Sequence, residues 1–406
     1  MPDFILKAGL GLPFLLLLLA LMGLRKSVTP RASLIVKAPI SRVFGLLDPH
    51  DGKVQNWSRT AVTTELVDPA RQVFRMTYTT TLSTGTTQKS QALFRVSERR
   101  EPYFLELTRE GLEGKSHNNE LLKITVETAE KPQGTQLGLV YHWGSRPILA
   151  QLLARADLWG GIYRLKGLAE TGKPDETTHT LISLGVASAT GLLTLVAFGL
   201  MTGWLVAGLL VAALFIHEFG HLLAFRMIGQ PWGRLVFLPF LGALAVPRLA
   251  YETRAQAVFS ALMGPGFSAP LAFGTVFAMT QGWLSSVWLL KLALVMTALN
   301  LFNLLPVEPL DGGVALRSVL ANLLGRYARF GLMLIGAAIM AAGFYFQQVV
   351  LLVFGGISVL ANVRPRIIDP GLAPLSSLQV AISAFCYMAI VTAYLAVLKF
   401  FLAMAP

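Results

Sequence analysis

Residues 204–228 read WLVAGLLVAALFIHEFGHLLAFRMI, and this stretch decides how the rest of the chain is read. It is apolar and long enough to cross a bilayer, yet it holds His217, Glu218 and His221 in the pattern His-Glu-x-x-His. On a helix, positions i and i+4 share a face, so both imidazoles can reach one metal ion. Glu218 stands beside them, where it can take a proton from a metal-bound water. A lone buried histidine is ordinarily a satisfied core residue. Two at helical spacing with a glutamate between them, with no other charge before Arg226, are costly at membrane depth unless paired or ligated.

A second constellation lies at 300–313, Asn-Leu-Phe-Asn-Leu-Leu-Pro-Val-Glu-Pro-Leu-Asp-Gly-Gly. It closes an apolar stretch that starts near Leu284 and is interrupted by Lys291. Asp311 supplies the hard oxygen that completes a His/His/carboxylate zinc site. Pro306 and Pro309 break the helix before it, and Gly312 and Gly313 are expected to give the backbone turn that carries the carboxylate off a helix end. An ordinary aspartate in a solvated loop is the competing reading. Glu308 adds a second carboxylate, expected to face solvent.

Taken together, His217 to His221, Asn303 to Pro306 and Leu310 to Gly312 resemble the paired motifs of the site-2 protease family of intramembrane zinc metalloproteases. Leu-Pro-Phe-Leu-Gly-Ala at 238–243 and Gly264-Pro265 fall where that family has similar elements. The resemblance covers roughly residues 180–320. It implies Zn2+ held by His217, His221 and Asp311, with Glu218 as general base. It also implies a membrane-embedded protein substrate. Asn303 is the candidate hydrogen-bond donor to the substrate backbone or oxyanion, and a polar helix–helix contact is its equal alternative.

Composition agrees with a membrane protein. The chain has 406 residues, 54% of them hydrophobic and 14% charged, with mean hydropathy +0.60. Such values exclude a soluble single domain. A single cysteine, Cys386, excludes a disulfide framework and a cysteine-rich metal site. The net charge of +12 does not point to nucleic acid, because many Lys and Arg sit at span ends rather than in one patch.

Candidate spans are 180–202, 204–228, 255–280, 284–305, 330–346, 349–363 and 376–401, the pair between 330 and 363 being short. With Phe4 to Leu24 this makes about six to eight spans. Lys7 stands alone before that first run, while Arg25, Lys26 and Arg31 follow it, which favours an uncleaved N-terminal span (1–30) over a signal peptide. Basic residues after the His-Glu-x-x-His span (Arg226, Arg234, Arg248, Arg254) and after Asp311 (Arg317, Arg326, Arg329) lie on one side by alternation, the cytoplasmic side of a multi-pass cell-membrane protein. The same alternation puts residues 31–172 in the cytoplasm. Residues 231–250, broken by Pro231, Pro239 and Pro247, read as a loop or hairpin at membrane depth, tolerable only against protein or a wet cavity.

Residues 31–172 are a different material, rich in charge and in period-two alternation. Strands are expected at 33–37, 74–79, 88–97, 102–109, 120–128 and 135–143, with a short helix at 39–47 and a long one at 147–170. Ser83-Thr84-Gly85 and Pro132-Gln133-Gly134 supply turn signals. This order resembles the START-like, polyketide-cyclase-type (SRPBCC) helix-grip superfamily, with local likeness at Ile35 to Pro39 and Trp57. The resemblance implies a sheet gripping a helix around an apolar cavity that takes a hydrophobic ligand; a filled α+β core is the alternative. Residues 173–406 then form the transmembrane protease-like domain, joined through a polar linker near 171–178. A lipid-sensing receptor with a vestigial zinc site, or a metal transporter, are the other classes. A transporter would place acidic or His residues in several spans, and none appear outside the two motifs.

Overall fold

Phe74 and Met76 are buried while Arg75 and Thr77 are half-exposed, the alternation that a half-buried strand requires. In the computed structural model, which describes residues 25–51, 61–82, 87–110, 121–238, 242–306, 310–363 and 372–404, this pattern builds one antiparallel sheet. Its strands are β1 (Arg25–Val28), β2 (Arg31–Val36), β3 (Ala61–Asp68), β4 (Val73–Thr81), β5 (Thr87–Arg100), β6 (Phe104–Glu110), β7 (Leu121–Lys131) and β8 (Gly134–Pro147). The order is β1-β8-β7-β6-β5-β4-β3, and β2 continues the β1 edge along β8. Helix α1 (Ile40–Gly45) follows β2, and α2 (Ile148–Thr171) follows β8. Ala154, Leu158, Ile162, Leu165 and Ala169 recur at three- and four-residue spacing on α2 and are fully buried. They meet Phe44, Phe94, Leu105, Leu137 and Leu139 from α1 and the sheet, each at most 2% exposed. Burial of each such Leu or Phe contributes roughly 2 kcal/mol. This is the helix-grip α+β arrangement.

Two strands were not among those expected. Arg25–Val28, read from the sequence as the basic flank of the first apolar run, pairs with Pro147 to Trp143 of β8. Ala61–Asp68 pairs with β4. The Phe4 to Leu24 run, Trp57, the Ser83-Thr84-Gly85 turn and Glu308 lie outside the described residues.

The remaining elements are α3 (Glu176–Thr202), α4 (Trp204–Met227), β9 (Arg234–Leu238), β10 (Gly242–Val246), α5 (Arg254–Thr280), α6 (Val287–Asn303), α7 (Asp311–Leu324), α8 (Ala328–Tyr345), α9 (Val349–Val363) and α10 (Ser377–Met404). All seven expected spans in this part are helices. Five are long and apolar enough to cross a membrane: Thr180–Leu200, Trp204–Met227, Arg254–Thr280, Ala328–Tyr345 and Ser377–Met404. The apolar helices α6 and α9 are shorter, about 25 and 22 Å at 1.5 Å per residue against a hydrocarbon core of about 30 Å. Large apolar side chains such as Leu192, Leu200, Leu334, Phe385 and Leu402 are exposed on the span helices, as a bilayer-facing surface requires. The chain divides into two compact units within α3, between Val186 and Ala187. Only residues 172–175 separate α2 from α3, and Asp175 Oδ1 accepts from Thr178 N–H at 2.9 Å as the α3 cap.

Candidate metal centre

The helix carrying His-Glu-x-x-His, α4, is pinned by close backbone approach. A Cβ on Gly220 would collide with the Met263 carbonyl oxygen, so α4 and α5 meet where a side chain would not fit. Gly264 does the same for the site itself: a Cβ there would collide with His221 Nε2 and stand 3.0 Å from His217 Cε1. Helix α5 is capped by Thr253, whose Oγ1 accepts from Gln256 N–H at 3.1 Å, while Gln256 Oε1 accepts from Glu252 N–H, just before the cap, at 2.8 Å.

Asp311 comes from a helix start rather than a turn. The expected turn at Gly312-Gly313 is corrected: α7 begins at Asp311 and both glycines lie within it, buried. Their smallness serves packing, since a Cβ on Gly312 would collide with the Leu304 carbonyl oxygen where the chain doubles back after α6. Asp311 thus sits in the first turn of α7, where a carboxylate is favoured by the helix dipole.

The two motifs converge. His217 Nε2 and His221 Nε2 are 3.1 Å apart. Asp311 Oδ2 lies 3.1 Å from the first and 3.4 Å from the second. His217 Nδ1 faces Asn300 Oδ1 at 2.7 Å, and His221 Nδ1 faces the Ser260 carbonyl at 2.6 Å. A carbonyl only accepts, so His221 Nδ1 carries a proton and its Nε2 lone pair is directed toward His217 and Asp311. Asp311 Oδ2 is buried and has no hydrogen-bond donor among the described residues. Three lone-pair atoms facing one another in a buried place form a donor set suited to a cation. In a tetrahedral site with bonds of about 2.0–2.1 Å, ligand atoms are about 3.3 Å apart. The observed triangle has sides of 3.1, 3.1 and 3.4 Å, so the residues fit a zinc ion.

Glu218 also lies close, with a carboxylate oxygen within 4.8 Å of the histidine nitrogens. Its Oε2 accepts the Ala245 N–H of β10 at 2.5 Å. Strands β9 and β10 are the hairpin expected within 231–250, in register Leu235↔Ala245 and Phe237↔Ala243. With its N–H on Glu218, Ala245 points its backbone groups away from β9. Ala243, two residues earlier, points the same way. The outer edge of β9 is engaged too: Phe237 N–H donates to Thr190 Oγ1 of α3 at 3.2 Å.

Asn303 is half-buried at the end of α6, and the amide that meets His217 is Asn300, one turn earlier and 0% exposed. The sequence holds a signal for it, a second amide three residues before Asn303 in an apolar helix, which the motif Asn303 to Pro306 overshadows.

No family model matches the chain. A Synechocystis sp. protein named as a candidate zinc metalloprotease is 34% identical over 126 residues, 30% of this chain and 33% of its own length. The chain resembles the site-2 proteases. It spans about a third of the length of that curated relative. Among solved structures, the site-2 protease of Methanocaldococcus jannaschii is 18% identical, with 45% of this chain and 90% of that one covered and a TM-score of 0.31. An AHSA1-like protein of Aeromonas hydrophila is 12% identical, with 34% and 90% covered and a TM-score of 0.26.

The sheet unit carries an open pocket of about 940 Å3. Much of its lining, including Glu127, Gln136, Val140 and His142, occupies strand positions that alternate with the core residues Val126, Leu137, Leu139 and Tyr141. Between sheet and α2, Leu158, Ile162 and Leu165 pack in one cluster with Phe94, Leu105, Leu137 and Leu139.

Proposed function

We propose that this chain is an intramembrane zinc endopeptidase that cleaves a transmembrane protein substrate. The observation that carries the reading is the triangle of His217 Nε2, His221 Nε2 and Asp311 Oδ2, closed by residues from α4 and α7. His217, His221 and Asp311 hold the ion. Zinc, when bound, supplies Lewis acidity and lowers the pKa of its water toward neutrality. Glu218 takes the proton of the attacking water and passes it to the leaving amine. Its carboxylate accepts the Ala245 N–H through Oε2 and has acceptor capacity left for the water. Asn303, the last residue of α6, donates to the substrate backbone or oxyanion. The outward edge of β10, at Ala243 and Ala245, receives the unwound substrate as an added strand, which places one peptide bond beside Glu218.

The protein is a multi-pass membrane protein, and the START-like unit is proposed to be cytoplasmic. It is the proposed sensor of a hydrophobic ligand or of a substrate tail. Its helix-grip α+β architecture supports this. His217→Ala and Asp311→Ala test the ligand set. Each is expected to lower zinc bound to the purified protein by at least about tenfold in affinity, and unchanged zinc content contradicts the assignment.

A further inference from the structure

We infer that Asn300 is a positioning residue that fixes the ring orientation and tautomer of His217, so that its Nε2 is presented to the metal; this rests on the zinc reading above. Asn300 lies in the apolar helix α6 and is 0% exposed. A buried amide at this depth is unfavourable unless both of its ends are bonded. Its Nδ2 donates to the Met296 carbonyl at 2.7 Å, and its Oδ1 faces His217 Nδ1 at 2.7 Å.

The Met296 contact settles which end of the amide is which. A carbonyl accepts and cannot donate, so the NH2 group must face Met296, and the oxygen must face His217. A flipped amide would set two acceptors against each other at 2.7 Å. His217 Nδ1 therefore carries a proton and donates it to Asn300. The unprotonated nitrogen of the neutral ring is Nε2, the atom 3.1 Å from Asp311 Oδ2. Metal-bound imidazoles need this arrangement, with the far N–H held by an acceptor that orients the ring and raises its basicity. His221 obtains the same service from the Ser260 main chain, which no substitution removes. Asn300 is thus the side chain through which the orientation of one ligand is exposed to mutation.

The test compares zinc affinity of the full-length purified protein, by competition with a chelating indicator, for wild type, Asn300→Leu and Asn300→Asp. Leucine keeps the volume and removes the acceptor. Aspartate keeps an acceptor toward His217, and its second oxygen, carrying a proton, donates to the Met296 carbonyl in place of the amide. Asn300→Leu is expected to weaken zinc by about 10- to 100-fold and to change the visible absorption of the cobalt-substituted protein. Asn300→Asp is expected to hold zinc as tightly as wild type or tighter, with the wild-type cobalt spectrum. Should the leucine variant not fold, Asn300→Ser, too short to reach His217, provides the same contrast against Asn300→Asp. Wild-type affinity and cobalt spectrum in a folded Asn300→Leu or Asn300→Ser protein overturn the inference, as does an Asn300→Asp protein as weak as either. A wild-type protein that takes up no zinc instead overturns the zinc reading itself, so the two failures are separable.

Discussion

At the scale of single residues, a buried charge can be compensated by the groups around it. Asp48 shows this away from the membrane unit. Its side chain is 2% exposed and is held by Arg99 Nε at 2.9 Å, Arg99 Nη2 at 2.7 Å and His50 Nδ1 at 2.7 Å. Burial alone would raise the Asp48 carboxyl, but the hydrogen bonds from Arg99 and His50 and the guanidinium charge outweigh it and hold the group below its ordinary value. A carboxyl whose folded-state pKa is depressed adds stability above its unfolded pKa of about 3.9 and loses it as pH falls through the lower folded value. Asp48→Asn should therefore destabilise the sheet unit at neutral pH by about 2 kcal/mol, a buried-pair loss reduced because Arg99 is one-third exposed. The deficit should shrink on acidification below about pH 4. Acid titration of wild type and variant, followed by protease susceptibility within residues 61–171, checks it. An equal deficit at pH 3 and pH 7 would show that the charge is not what stabilises.

At the scale of elements, the hairpin is where chain geometry meets chemistry. Ala245 donates its N–H to Glu218 rather than to β9, so proline at this position removes no ladder bond. Ala245→Pro should leave the fold and the zinc in place. It should lower cleavage by at least about tenfold, the loss expected when one backbone hydrogen bond that positions the substrate is missing. A variant that cleaves normally would place the substrate elsewhere. Much of this architecture was legible in the sequence. His217 and His221 at helical spacing in an apolar run, and Asp311 after the Pro306 break, announced elements that meet in space. The strands from 74 to 143 were readable because their alternation is strong. Arg25–Val28 was not, since its strand character comes from pairing with β8 and its charges read equally well as the flank of a span. Gly312 misled for a similar reason: glycine serves turns and close helix packing alike, and only the Leu304 carbonyl beside it distinguishes the two. Asn300 was hidden because its role depends on His217, 83 residues away in sequence.

For the whole molecule, two units of different material share one chain, and helix α3 runs through the division between them. The distribution of Arg and Lys around the spans sets the proposed orientation. An accessibility reporter at Gly114 should behave as cytosolic and one at Gln281 as external. A Gly114 reporter on the outside would reverse the orientation and remove the cytoplasmic sensor from the account. The central claim, that the converging triad holds zinc and Glu218 acts as base, is tested most directly by one paired measurement. Wild-type protein and Glu218→Gln are purified, assayed for bound zinc, and mixed with a designed transmembrane helix in detergent. The account predicts about one zinc per chain in both. It predicts cleavage by wild type and a loss of at least about a hundredfold in the variant, because the amide cannot carry the proton. Cleavage by Glu218→Gln at the wild-type rate, or wild-type cleavage with no zinc bound, would contradict it.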